Sequence, residues 1–500
     1  MGVIQRQGIK HSIVNLAGLV LGGVSTLWLY PLVIKEYGLM QLVLSTGIIA
    51  LPLFSLGANT VAIRFFPRFQ DKNSGHHGFL PLLMGLCGAG FIASGVVLLL
   101  AWKPLMSSLA PEKATALNQY IWAVIPVACL WVTSTILSVY SANFKRIVVP
   151  SLLIDFSQKI IVPILLFAVY RQWITLPQAM GGLVFHAFMV FTGMMLYLRS
   201  LGEWRWKPDW AFLTPALRKE IAQFILFGAF GGFAMLLLTK VDLFMVGSML
   251  PIDNAGIYAI AIFLAATIEI PTRSLYSASV ATVSMHISND DQAALSDLYR
   301  RVSINLLTIG LLIFGGIWVS VDQVYELMHK TEIVSAGKWV FFFIGLSKLA
   351  EMGTGLNNYM IYYSPHYRLS LLPLGILAAG NIAFSIWLIP HYGLTGAAMA
   401  TALSVTLYNT FSLGLVWQKF RLQPFSRQTI YALLIAVGSM VIARQMPLWS
   451  NWPLFNAALR TGVFAALCGG LFLYFQVSPD LNNVLRQQLL KNPLRFASKK

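Results

Sequence analysis

The chain has 500 residues, of which 57% are of hydrophobic type and only 11% are charged, and its mean hydropathy is +0.71. That composition excludes an ordinary soluble domain and points to an integral membrane protein. The formal charge of +17 would suit a nucleic-acid binder, but a membrane topology accounts for it without such a partner.

A bilayer core about 30 Å thick needs about 20 helical residues. With that ruler the sequence predicts an all-α membrane protein of about fourteen spans. The first six are His11 to Val33, Leu39 to Ile63, Gly78 to Trp102, Leu117 to Asn143, Val149 to Tyr170 and Leu176 to Leu198. The next six are Ile221 to Leu250, Ile257 to His286, Ser303 to Leu327, Gly337 to Tyr363, Leu369 to Ile389 and Leu394 to Trp417. Thr429 to Met446 and Leu454 to Phe475 complete the set. The alternation expected of a β-barrel is absent, so the spans read as helices.

Orientation follows from the positive residues between spans. With the N-terminus placed inside, 23 of the 35 Lys and Arg fall in inner segments, eight in outer segments and four within spans. Both termini are expected on the cytoplasmic side of a cell inner membrane. The start, Met1 to Lys10, lacks an attached cleavage site, so the first span reads as a retained helix. The tail 481–500 is basic, with Leu485, Leu489 and Leu490 beside Arg486 and Lys491, and suits the anionic inner leaflet. Cys87, Cys129 and Cys468 lie in separate spans without ligand spacing, and predict neither a disulfide nor a metal site.

An internal repeat suggests the architecture. Ile34-Lys35-Glu36-Tyr37-Gly38-Leu39 after span one matches Ile252-Asp253-Asn254-Ala255-Gly256-Ile257 after span seven, each read as a short outer turn. A third echo is Ile389-Pro390-His391-Tyr392-Gly393-Leu394. Two six-helix halves in one orientation follow, related by an axis along the membrane normal. The expected divisions are a lobe at 1–200, a cytoplasmic linker at 201–220, a second lobe at 221–418, two further helices at 419–480 and the tail at 481–500.

The two halves, the run from Gly57-Ala58-Asn59 to Arg64-Phe65-Phe66-Pro67, and Leu388-Ile389-Pro390-His391-Tyr392-Gly393-Leu394-Thr395-Gly396-Ala397-Ala398 resemble a known family. The likeness is to the polysaccharide-exporter branch of the multidrug/oligosaccharidyl-lipid/polysaccharide (MOP) exporter superfamily, whose O-antigen flippases are of Wzx type. It covers the whole chain. It implies two lobes around a central cavity, alternating access, a role in polysaccharide or lipopolysaccharide assembly, and an anionic lipid-linked glycan as cargo. Polysaccharide assembly enzymes and membrane lipids are the implied partners of a monomeric transporter.

The intramembrane charges fit such cargo. A polyprenyl diphosphate glycan keeps its tail in lipid, but its head loses hydration in the core at several kcal/mol per unmatched polar group. Cations in a wet cavity lower that barrier, Arg as a bidentate fork and Lys as a point charge. Arg273 and Lys240 are the first candidates for phosphate contact, followed by Lys348, Arg64 and Lys159. Glu269, Asp242, Asp155 and Glu351 are the candidates for gating or ion coupling. Intramembrane charges also pair structurally by default. Glu269 with Arg273, Asp155 with Lys159, and Lys348 with Glu351 have the spacing of self-neutralising pairs, while Lys240 and Asp242 point to different sides of one helix. Lys240 could also snorkel outward, and Arg64 could serve only as a positive-inside residue.

Span one offers His11 and Asn15 where lipid II flippases of the superfamily carry arginines, which speaks against a peptidoglycan precursor. An ion-coupled multidrug exporter is a further alternative, disfavoured because each intramembrane carboxylate has a basic residue within four positions. A membrane glycosyltransferase or ligase is the alternative of a different class. It would need a large outer loop with acid/base groups, and the predicted outer loops are short, the longest, around Lys103 to Ala116, offering only Glu112 and the one near Lys330 offering Glu332. No cofactor or metal is expected beyond a coupling Na+ or H+, and no P-loop is present.

Overall fold

The computed structural model describes residues 14, 17–49, 54–71, 74–108, 111–144, 146–328, 334–480 and 482. Only the backbone is described at 46–49, 97–98, 101–108, 111–117, 226–240, 367 and at several positions between 273 and 288. Among the described residues every regular element is helical, and nine helices are long and apolar enough to cross a membrane. The chain is therefore an all-α, multi-pass membrane protein. It forms two compact units, Met1–Ala259 and Ile260–Lys500.

In the first unit a helical run begins at Ala17 and passes through a π-turn, Ser25–Leu29, and a 3-10 turn, Tyr30–Val33, into α1, Ile34–Ile49. α2 is Ala58–Phe69, α3 is Phe79–Ser108 and α4 is Pro111–Asn143. A helical turn at Val148–Ser151 and a π-turn at Leu152–Phe156 lead into α5, Ser157–Tyr170. α6 is Leu176–Ser200, α7 is Pro215–Met249 and α8 is Ile252–Ala266. Start signals sit where physics wants them. A capping box of Thr175 and Gln178 opens α6, and Thr214, accepting from the Leu217 N–H, precedes Pro215 of α7.

The second unit continues through a 3-10 turn, Thr267–Glu269, into α9, Ile270–Ser288. α10 is Gln292–Val319, α11 is Val321–Glu326, α12 is Lys338–Thr354 and α13 is Asn357–Tyr362. α14, Leu371–Phe420, is a pair of helices meeting at Gly393, and α15, Arg427–Arg444, and α16, Pro453–Tyr474, follow.

The expected turns behave differently from one another. Ile34–Gly38 is helical, because Pro31 and the 3-10 turn carry the chain into α1 without a break. Ile252–Gly256 is the first turn of α8, after a break at Leu250–Pro251. Only Gly393 leaves the helix, at φ 56° and ψ −130°, a conformation open to glycine. Span two is broken where the sequence suggested continuity. Leu56 and Gly57 have φ of 42° and 72°, and the Gly57 carbonyl restarts the helix by accepting from Thr60 and Val61.

The glycines of the repeat meet each other. A Cβ on Gly38 would lie 2.5 Å from the Ile252 carbonyl oxygen, and a Cβ on Gly256 would lie 2.5 Å from the Ile34 carbonyl oxygen. The contact is reciprocal, with matching positions of α1 and α8 facing one another. Lipid offers no hydrophobic drive between helices, so close backbone approach through small residues is what holds such a seam.

The segment between α6 and α7 folds onto the hairpin between α2 and α3. The His76 Nδ1 accepts from the Asp71 N–H at 3.2 Å, so its Nε2 carries the proton toward Glu203 at 2.8 Å. His77 stacks on Phe212 at 3.9 Å and bonds Asp209 at 3.0 Å. The His77 bond and the Phe212 N–H hold the Asp209 carboxyl below the usual carboxylate range, and Arg68, at 2.6 Å, does the same for Glu220. Both contacts therefore act above the unfolded carboxyl value and fade as pH falls through the lowered one. Gly78, at φ 68°, lets the segment close, since a Cβ there would meet the Asp209 nitrogen at 2.6 Å and the Lys207 oxygen at 2.7 Å. Gly78→Ala should loosen the whole segment, read as faster limited proteolysis between Gly202 and Thr214 than in the parent. Below it lies a core in which Phe66, Phe69, Phe79 and Tyr140 are buried against Phe144 and Phe212.

In the second unit α10 is the most enclosed of the nine candidate spans, with 72% of its apolar window buried. Gly310 receives Met352 of α12, and Gly315 receives the Phe464 ring of α16. Thr461 of α16 donates to the Gly316 carbonyl at 3.0 Å. Midway along α10, Asn305 donates to Asp480 at 3.0 Å and accepts from Ser478. Just past its C-terminal end, on α11, Asp322 accepts from Lys338 at 2.5 Å and from Arg444 at 3.2 Å.

Candidate functional site

The second unit places three of the candidate charges together. The Lys348 ammonium lies 2.6 Å from a Glu269 carboxylate oxygen and 3.6 Å from one of Glu351. Lys348 and Glu351 share one face of α12 at i,i+3, as the sequence suggested, but Glu269 comes from the turn between α8 and α9. Two local breaks in helical geometry build this spot. Pro271, lacking an N–H, follows a 3-10 turn that carries Glu269, a geometry that often marks a functional hinge. Gly355, at φ 60°, ends α12 one turn after Glu351, and its carbonyl accepts from Tyr276 at 3.0 Å.

The three charged side chains keep 28%, 29% and 35% exposure for Lys348, Glu269 and Glu351, so each is only partly covered by the protein. Tyr276, Tyr359 and Tyr408 lie within electrostatic reach of Glu351, and the first two pack edge to face at 5.2 Å. Two carboxylates against one ammonium leave these three groups with an excess negative charge when all are ionised.

Beside this cluster, on the face of α12 that carries Phe343, Leu346 and Ser347, lies an open apolar groove of about 450 Å³ lined also by Trp387, Leu388, Tyr392 and Thr406 of α14. Sequence reasoning missed it, since it depends on the fold-back at Gly393.

The other candidates are distributed as follows. Arg273 and Lys240 lie on α9 and α7, but their side chains are outside the described residues, as is the expected Glu269–Arg273 pair. Asp242 is buried in the first unit, accepting from the Tyr258 hydroxyl at 3.2 Å and from the Leu243 N–H at 2.8 Å. Asp155 sits in the π-turn before α5 and accepts from Ser151 at 3.2 Å. Lys159 runs along the first helical run, its Nζ 3.0 Å from where a Gly18 Cβ would stand. Arg64 is exposed with its guanidinium 4.6 Å from the Phe224 ring centre, a cation–π contact at the start of α7. The cross-helix ion pair of Glu269 and Lys348 had no sequence signal, since each of the two charges already had a spaced partner on its own span.

No protein-family model and no curated protein matches the sequence. Solved structures do share the fold. A lipid II flippase, MurJ, in an inward closed conformation gives a TM-score of 0.68 at 13% identity, over 93% of this chain and 99% of its own. An inward-facing multidrug resistance MATE family transporter of the MOP superfamily gives 0.61 at 12% identity, over 81% of this chain and 94% of its own. A MATE in complex with MaL6 gives 0.53 at 13% identity, over 84% and 96%. The fold of this chain is thus the one that these lipid II flippase and MATE transporter structures share.

Proposed function

We propose that the protein is a flippase that moves a polyprenyl-diphosphate-linked oligosaccharide, such as an O-antigen or other polysaccharide repeat unit, from the inner to the outer leaflet. The observation that carries this reading is a cluster of partly covered charged side chains joining two helical segments of a mostly apolar helical chain, in a fold shared with a lipid II flippase. Charged groups at such depth are kept for a pathway or for coupling. On this reading Arg273 and Lys240 receive the diphosphate, with Arg64 and Lys159 as further cations, and the Lys348–Glu269–Glu351 cluster supplies gating or charge compensation. Asp242 and Asp155 are the remaining gating candidates. The protein acts as a monomer in the cell inner membrane with both termini cytoplasmic, its lobes 1–200 and 221–418 alternating in access.

The test is translocation of a fluorescent polyprenyl-diphosphate oligosaccharide in proteoliposomes. Arg273→Ala should abolish transport with folded protein retained, and Arg273→Lys should restore part of it, since charge survives without the fork. Full activity of Arg273→Ala would remove that residue from the pathway. The excess carboxylate of the cluster favours one second reading, an ion-coupled exporter of cationic drugs, to which the likeness to MATE transporters also speaks. Drug efflux driven by a proton or sodium gradient, without glycan transport, would decide for it.

A further inference from the structure

We propose that the segment between α6 and α7 is a preformed docking surface for the anionic phospholipid headgroups of the leaflet it faces. The proposal rests on the inner placement of this segment that its cations imply.

The segment is a built surface and not a slack connection. It is fastened at Glu203 by His76, at Asp209 by His77, and by the Tyr140 hydroxyl on the Glu203 carbonyl at 3.4 Å. These bonds use up its carboxylates. Glu203 and Asp209 are bonded to the histidines, and Glu220, at the start of α7, is bonded to Arg68. What the segment turns outward is of the opposite character. Trp206 is 57% exposed and Trp210 is 64% exposed, and Arg205, Lys207, Arg218 and Lys219 are exposed beside them. The Trp206 ring lies nearly parallel to Trp204 at 5.9 Å, and Arg218 donates to the Trp210 carbonyl at 3.4 Å, so the aromatic and basic groups form one patch.

Two large indoles left in water are unfavourable, whereas at headgroup depth the ring enters the acyl boundary and its N–H stays wet. Clustered Lys and Arg at that depth are drawn to a leaflet with negative surface potential. The combination of exposed tryptophan and cation therefore selects an anionic lipid surface over a neutral one. Because α7 begins at Pro215, directly after the patch, lipid contact would fix the end of the helix that carries Lys240 and Asp242.

The test uses full-length protein in discs of phosphatidylcholine and in discs of equal parts phosphatidylcholine and phosphatidylglycerol, each with brominated acyl chains. The fluorescence difference between the parent and Trp206→Phe/Trp210→Phe reports these two rings. It should be quenched in the anionic discs and unquenched in the neutral ones, and Arg205→Gln/Lys207→Gln should remove the quenching. Rings unquenched in anionic discs, or quenching that survives loss of the two cations, would overturn the proposal. So would quenching equal in both lipids yet suppressed by inorganic pyrophosphate, which would assign the patch to a phosphate ligand instead. The side of the membrane is read separately. Ser200→Cys should react with an impermeant maleimide only in inverted vesicles, since the native cysteines Cys87 and Cys468 are buried and Cys129 is partly so. Labelling in right-side-out vesicles would reverse the topology while leaving the quenching result to judge the lipid contact.

Discussion

Gly38→Val should be among the most damaging single substitutions in this protein, with Gly256→Val close behind it. At each position a side chain would meet a backbone carbonyl of the facing helix at 2.5 Å, and a carbonyl held in a helix cannot swing away as a side-chain tip can. Overpacking usually costs about 1–3 kcal/mol, and a clash with backbone belongs at or above the top of that range. The expected result is a clearly lowered midpoint of thermal unfolding in detergent and loss of transport in proteoliposomes. Gly23→Ala, on the same helical run, is the control, because a Cβ there meets nothing within 4 Å. If Gly38→Val and Gly23→Ala unfold alike, the seam between α1 and α8 is not close-packed.

Lys348→Met should be the second large effect. It leaves Glu269 and Glu351 facing one another without their shared ammonium, and stripping one partner from a mostly buried ion pair costs on the order of 3 kcal/mol. The remaining exposure of 28% trims that figure through solvent screening. Lys348→Met/Glu269→Gln/Glu351→Gln should regain most of the lost stability, since no charge is then stranded. Transport separates the roles. If the cluster is only structural, the triple variant transports as the parent does, whereas a coupling or gating role leaves it stable and inactive. A single Lys348→Met variant as stable as the parent would mean that the ammonium does not compensate these carboxylates.

The helices themselves were legible because about 20 apolar residues in a row admit few other fates. What the sequence concealed were interruptions within spans and contacts between them. Leu56–Gly57, the turn at Thr267–Glu269 and the break at Gly355 all fall inside runs that the span-length reading took as single helices. Pro271 was the one visible hint, since a missing N–H inside a span needs local adjustment. The repeat was recognisable at Gly38 and Gly256, but as a pair of turns. Their role is close packing, because a glycine that permits a turn and one that permits contact look the same in one dimension. Among the charges, i,i+3 spacing found Lys348 with Glu351 but could not find Glu269, whose partner lies two spans away. The linker read as a loop because the histidines and carboxylates that fasten it are dispersed between Asp71 and Asp209.

The recess on α10 that receives Phe464 bears on how the chain is made. α10 leaves the ribosome roughly 100 residues ahead of α15, and α16 emerges later still. At ordinary elongation rates that interval is on the order of ten seconds. During it the Gly315 hollow faces lipid or the insertion machinery with no Phe464 ring yet available to fill it, and the Gly316 carbonyl lacks its Thr461 donor. The last helical hairpin would then act as the closing step of biogenesis, and chains stopped before Pro453 should be held by quality control instead of accumulating in the bilayer.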